Sequence, residues 1–152
     1  DVAAVLEEII EYFRNRGPQF GRHEITVECR DELPPIPINA ELISWAFENL
    51  FKNALDAMDR QTGSMRIRLG FMPEGRAVQI TFQDDGRGIE PENVKRVFDP
   101  GFSTKKRGWG LGLAFVKRIV EEYHKGKISV VQSAPGAGTT FEVILPLGKG
   151  AK

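Results

Sequence analysis

Gly108-Trp109-Gly110-Leu111-Gly112-Leu113-Ala114-Phe115-Val116-Lys117-Arg118-Ile119-Val120-Glu121-Glu122-Tyr123-His124, approached through a polar run that includes Lys105, is the stretch on which the reading of this chain turns. Leu113, Phe115, Val116, Ile119, Val120 and Tyr123 fall on one broad apolar face at helical spacing. The glycines therefore lie just ahead of a helix or inside its first turn. That turn leaves backbone N–H groups without intrahelical partners at the positive end of the helix dipole, and glycines let an anion come close enough to use them. A phosphate would suit such a place; the plainer alternative is a flexible loop leading into a core helix.

Composition bounds the rest. With 152 residues, 41% hydrophobic and 28% charged, the chain is long enough for one domain with a real core, and residues 1–152 are expected to form a single domain. Lysine plus arginine balances aspartate plus glutamate at 21 each, so no global field favours nucleic acid or an anionic membrane. Any phosphate site must be built locally. Cys29 is the single cysteine and can form no internal disulfide, which suits a reducing cytoplasm. No apolar run approaches membrane-spanning length, no signal peptide is visible, and the chain begins Asp1-Val2 without an initiator methionine. It is expected to be a piece of a longer protein.

In chain order, Val2, Val5, Leu6, Ile9, Ile10 and Phe13 predict an amphipathic helix from Val2 to about Arg16, ended by Gly17-Pro18. Glu24 to Arg30 alternates as a strand, and Leu33-Pro34-Pro35-Ile36-Pro37 makes a rigid connector. Asn39 is a fair N-cap for the longest helix, which runs to about Met58 and carries Leu42, Trp45, Ala46, Phe47, Leu50, Phe51 and Ala54. Met65 to Phe71 and Ala77 to Phe82 form a hairpin. Pro91 to Val94 suits a short helical turn, and the polar segment Asp99 to Arg107 has no period and should be mobile. Lys127 to Gln132 and Thr139 to Leu145 are the last two strands. The pattern predicts a two-layer α/β (α+β) sandwich whose three helices cover one face of a mixed or antiparallel sheet.

Three clusters carry chemistry. In Glu48-Asn49-Leu50-Phe51-Lys52-Asn53-Ala54-Leu55-Asp56-Ala57, Asn49 and Asn53 project from the same helix face. Asparagine is a mediocre helix former, and two amides among large apolar residues are costly unless used, as a neutral oxygen ligand for magnesium or by nearby backbone. Asp84-Asp85-Gly86-Arg87-Gly88-Ile89 ends a strand with a carboxylate in a glycine turn. Such a carboxylate can accept from an exocyclic amine while the glycines let backbone pass close to a flat ring; a plain Asx turn is the alternative. The third cluster is the opening stretch with Phe102-Ser103-Thr104-Lys105 before it, where Lys105 can meet terminal phosphates as a point charge or simply stay solvated.

Together these parts resemble the ATP-binding catalytic domain of sensor histidine kinases, within the larger superfamily that includes gyrase, mismatch-repair and heat-shock ATPases. Asn49 to Ala57 is similar to the family's N box, Asp84 to Ile89 to its first glycine box, and Phe98 to Lys105 to its phenylalanine-containing lid. Gly108 to Leu113 is similar to its second glycine box, and Gly138-Thr139-Thr140-Phe141 to its closing threonine motif. The resemblance implies a mixed five-stranded sheet and a mobile lid over ATP. It implies that Asn53 coordinates Mg2+, that Asn49 supports the phosphate end, and that Lys105 is a lid contact. Asp84 would read the adenine amine, with Gly86, Gly88 and Thr140 lining the base. Gly108, Gly110, Leu111, Gly112 and Leu113 would belong to the phosphate turn. The implied activity is transfer of the γ-phosphoryl group of Mg-ATP to a histidine on a separate helical dimerisation domain of the same protein, with a response regulator downstream. A serine-type protein kinase, an ATPase of the superfamily, and a non-catalytic nucleotide-binding module are the alternatives.

Rival signatures fail. Neither Gly126-Lys127 nor Gly148-Lys149 completes a Walker loop, the glycines do not follow a strand as a Rossmann fingerprint requires, and two histidines and one cysteine lack zinc-site spacing. His23-Glu24 shares only the first two letters of the family's phosphoacceptor motif and continues into a strand, so His23 reads as a surface residue. His124, before Lys125-Gly126, reads as a capping residue favoured by the C-terminal dipole.

Overall fold

The computed structural model describes residues 2–14, 23–29, 36–58, 63–72, 76–86, 88–99, 112–134 and 136–147. Asn39 caps the longest helix, α2 (Ala40–Met58): its Oδ1 accepts the Leu42 N–H at 3.1 Å and its carbonyl the Ile43 N–H at 2.9 Å. The inward face of α2 buries Ile43, Ala46, Phe47, Leu50, Phe51 and Ala54. Phe47 and Phe51 set their rings 5.3 and 6.1 Å from that of Phe82 in the sheet. Truncating a ring so enclosed costs about 3–5 kcal/mol, enough to dominate any single polar contact nearby. Helix α1 (Val2–Arg14) adds Val2, Leu6, Ile9 and Ile10 to the same core.

The strands are β1 (His23–Cys29), β2 (Gly63–Phe71), β3 (Ala77–Asp84), β4 (Lys127–Ala134) and β5 (Gly138–Pro146), in the order β1-β2-β3-β5-β4. β1 and β2 run parallel, with α2 as their crossover, and the other three pairings are antiparallel. β3 and β4 therefore share a direction, with β5 inserted between them, and α3 (Gly112–Arg118) lies in the connection that joins them. Buried residues alternate along β2 (Met65, Ile67, Leu69), β3 (Val78, Ile80, Phe82) and β5 (Phe141, Val143, Leu145), so one face of the sheet carries the core beneath the helices. The mixed five-stranded sheet with three helices is the architecture expected from the element order.

Two elements differ from the sequence reading. β3 does not stop at Phe82: Asp84 pairs with Met65 on one side and Thr139 on the other, and two flanking strands hold polar residues that propensity would have released. The last helix is not uniform, because α3 passes into a π turn at Ile119–Tyr123. Lys125 then takes φ 56° and the Gly126 N–H donates to the Val120 carbonyl at 2.8 Å, a left-handed helix end one residue wider than the Schellman motif. His124 is buried here, with Nδ1 2.8 Å from the Ile119 carbonyl and Nε2 accepting the Asn39 N–H at 2.9 Å. The capping role stands. Its basis in the helix dipole does not, since a charged ring would turn an N–H against the Asn39 N–H. The short turn Pro91–Asn93 is 3-10 helix. The segment expected to be mobile falls, apart from Asp99, outside the described residues.

Candidate functional site

Two of the singled-out segments meet, and a third lies at the end of β3. Asn49, one turn after Trp45 on α2, donates Nδ2–H to the Trp45 carbonyl at 2.8 Å. The plainer reading of this amide thus holds for its nitrogen. Its oxygen faces elsewhere: a Cβ built on Gly112, the first residue of α3, would sit 3.2 Å from Asn49 Oδ1. The paired-asparagine cluster and the start of the glycine-led helix are therefore neighbours. Asn53, one turn further along α2, is half-buried. Leu113 packs against the core from the first turn of α3. Lys105, Gly108, Gly110 and Leu111 lie outside the described residues.

Asp84 supplies the second part. Its side chain is 5% exposed, and Oδ1 accepts the Gly86 N–H at 2.9 Å. Burial pushes its carboxyl above the ordinary 3.8, against which the Gly86 and Thr139 backbone N–H groups pull down; neighbouring Asp85 adds a smaller push upward. The bond to Gly86 is the Asx turn of the plainer reading, and the burial of the carboxylate is the feature beyond it. Gly86 is buried, and Gly88 takes φ 75°.

Thr140 is not placed as the resemblance suggested. It pairs with Gln83, on the sheet face opposite the core, whereas Thr139 pairs with Asp84 and is buried beside it. The period-two alternation of β5 puts Thr139, Phe141, Val143 and Leu145 on one side and Thr140 with Glu142 on the other. Counting that alternation back from Phe141 was the signal available in the sequence. Ser133, which bonds Ile89 and Thr139, carried no such signal. Phe98 sets its ring edge-on to Phe141 at 6.1 Å, with Lys117 Nζ 5.8 Å from the ring centre, and so ties the chain just before residues 100–111 to α3 and β5.

Known proteins share this fold. The profile of the histidine kinase-, DNA gyrase B-, and HSP90-like ATPase family matches residues 38–149, which span Asn49, Asp84 and Gly112 together. The chain belongs to this family. It is 37% identical over 144 residues to the signal transduction histidine-protein kinase AtoS of Escherichia coli, an alignment covering 95% of this chain and 23% of AtoS. Against the sensory histidine kinase/phosphatase NtrB of Rhodobacter capsulatus it is 38% identical over 146 residues, covering 88% of this chain and 40% of NtrB. The chain thus spans less than half the length of these relatives. The fold superposes on histidine kinase ThkA, solved in complex with the response regulator protein TrrA, with a TM-score of 0.81 at 22% identity, covering 100% of this chain and 42% of that one.

Proposed function

We propose that this domain binds Mg-ATP and presents its γ-phosphoryl group to a histidine on a separate helical dimerisation domain of the same protein, in a pathway that continues to a response regulator. The observation that carries this reading is the juxtaposition of Asn49 with Gly112, which sets a fixed amide oxygen at the first turn of α3. Asp84 at the far end accepts the adenine exocyclic amine. Gly86 and Gly88 leave room for the base, and Thr139, rather than Thr140, lies next to the carboxylate. Gly108, Gly110, Leu111, Gly112 and Leu113 offer the phosphate turn, and Lys105 is a contact to the terminal phosphates.

Among the described residues no group of three or more His, Cys, Asp or Glu side chains converges to hold a metal. The donor set at Asn53 suits magnesium, a hard cation held by one or two protein oxygens together with phosphates and water. Asn53 would hold it, and when bound it would supply charge neutralisation at the terminal phosphates. The chain's own contribution is positioning: α2 and α3 fix the phosphate end, and Asp84 fixes the base. In the transfer, a neutral imidazole nitrogen forms the N–P bond as the bond from the γ-phosphorus to the β,γ-bridging oxygen breaks. That oxygen leaves with ADP, and the imidazole proton goes to solvent.

Kinship with the histidine-protein kinase AtoS and the histidine kinase/phosphatase NtrB favours this over a serine kinase or an ATPase of the family. Among the described residues no helix is long and apolar enough to cross a membrane. A cytoplasmic location agrees with the exposed Cys29 being the single cysteine, which can form no internal disulfide. The test is transfer of radiolabel from γ-labelled ATP to an added histidine-bearing helical hairpin. Acid-labile label on the hairpin is the expected result; acid-stable label, or release of phosphate alone, would point to the other enzymes.

A further inference from the structure

The turn that carries Asp84 is tied to the sheet at points the nucleotide itself would not touch. On one side the Ser64 N–H and hydroxyl bond the two oxygens of Asp85 at 3.0 and 3.1 Å. On the other, Ser133 of β4 collects three groups from two segments, the glycine turn and β5: its Oγ accepts the Ile89 N–H at 2.9 Å, lies 3.0 Å from Thr139 Oγ1, and lies 3.3 Å from the Gly138 carbonyl. A hydroxyl has one proton and two lone pairs. The arrangement that uses all of them has Ser133 accepting from Ile89 N–H and Thr139 Oγ1–H while donating to Gly138. Ser133 thereby joins the end of the glycine turn to the two residues of β5 that flank Asp84.

We propose that Ser133 is a positioning residue for base recognition: it sets the height of the Gly86–Ile89 turn over Asp84, and so selects the purine without contacting it. This rests on Asp84 accepting the adenine amine. The geometry gives Ser133 no part in the phosphate end, where Asn49 and Gly112 meet. Its loss should therefore be felt by the nucleoside and not by the phosphates. A merely structural serine would weaken both alike.

The experiment measures binding of ADP, GDP and inorganic tripolyphosphate, each with magnesium, to the unmodified chain, Ser133→Ala and Ser133→Thr, alongside amide exchange at Ile89. Loss of one neutral hydrogen bond predicts that Ser133→Ala weakens ADP roughly three- to tenfold. Tripolyphosphate should be unchanged, the ADP-to-GDP preference should shrink, and Ile89 exchange should quicken. Ser133→Thr, which keeps the hydroxyl, should restore the preference. Equal losses for ADP and tripolyphosphate, or unaltered ADP binding, would overturn the proposal. Should Ser133→Ala not fold, Ser133→Cys, with its weaker acceptor, must show the same ADP-selective loss, and unaltered ADP affinity there would overturn it equally. Failure of the unmodified chain to bind ADP at all would refute the reading of Asp84 instead.

Discussion

The Nε2 of His124 accepts the backbone N–H of Asn39 at 2.9 Å, joining residues 85 apart in sequence. Its other nitrogen lies 2.8 Å from the Ile119 carbonyl, so the ring carries its proton on Nδ1 and both nitrogens are used. The N-cap of the helix bearing Asn49 is thus fastened to the end of the helix that Gly112 begins. Replacing His124 by Ala leaves the Asn39 N–H and the Ile119 carbonyl without this partner. The expected cost is about 2–3 kcal/mol, which lowers Tm by about 5–10 °C in a domain of this size. Nitrogen shifts of the imidazole should report the Nδ1–H tautomer; a ring with its proton on Nε2 contradicts the assignment.

Gly136 and Gly138 form a matched pair. They take φ 78° and 88°, so alanine pays a similar backbone penalty of about 1–2 kcal/mol at either. A Cβ at Gly136 meets nothing within 4 Å, whereas one at Gly138 collides with the Asp84 carbonyl oxygen and comes within 2.9 Å of its carbon. Gly138→Ala should therefore be much the more destabilising and should also weaken ADP, because what must move is the backbone of Asp84. Equal thermal shifts in the two variants would show that the β4–β5 turn yields without disturbing β3.

The difference between these glycines marks what was legible in the sequence and what was not. Local signals carried well: Asn39 as N-cap, the apolar face of α1, that of α2 apart from the exposed Trp45, and the alternation of β2 and β3 appear as read. Pairing signals did not. Neither the insertion of β5 between β3 and β4 nor the extension of β3 to Asp84 follows from propensity, since both depend on partners distant in sequence. The two threonines show a third kind of limit, because one step in register moves a side chain to the opposite face, and Thr139, not Thr140, lies beside Asp84. His124 shows the same limit, because a helix-end histidine reads as a dipole partner until Asn39 is brought against it.

Asp84 should couple nucleotide binding to pH. Folding raises its pKa above the ordinary 3.8, chiefly by burial, so the unliganded fold holds this proton more tightly than the unfolded chain. The group's contribution to stability is therefore present at low pH and is lost as pH rises through the folded value. Adenine binding needs the carboxylate and runs the other way. ADP affinity should fall with decreasing pH at values still above 3.8, by an amount that vanishes in Asp84→Asn. Comparing the two proteins by calorimetry across pH removes the nucleotide's own titration. Asp84→Asn should also blur the preference for ATP over GTP, whose guanine sets an oxygen against the carboxylate, while raising the Tm of the free domain at neutral pH. Parallel pH curves for the two proteins would remove Asp84 from base recognition.

The last prediction concerns hydrolysis, and it turns on Asn49. In dedicated ATPases of the superfamily this position, four residues before the magnesium asparagine, is occupied by a glutamate that activates water. An amide takes no proton at neutral pH, and here its nitrogen is already engaged by the Trp45 carbonyl. Glu48, one residue earlier, projects about 100° around the helix and does not substitute. On the proposed function, water near the γ-phosphate would gain no general base from this part of α2, and ATP would be held for an imidazole that needs no activation. Asn49→Glu should raise phosphate release relative to transfer, by roughly tenfold to a hundredfold if the new carboxylate reaches the attacking water. The same change forfeits the bond to Trp45 and sets a negative charge beside the phosphates, so ATP affinity is to be measured separately and should fall. Phosphate release at saturating Mg-ATP decides the matter: fast turnover by the unmodified chain would mean that another residue supplies the base, and the domain would then be an ATPase in its own right.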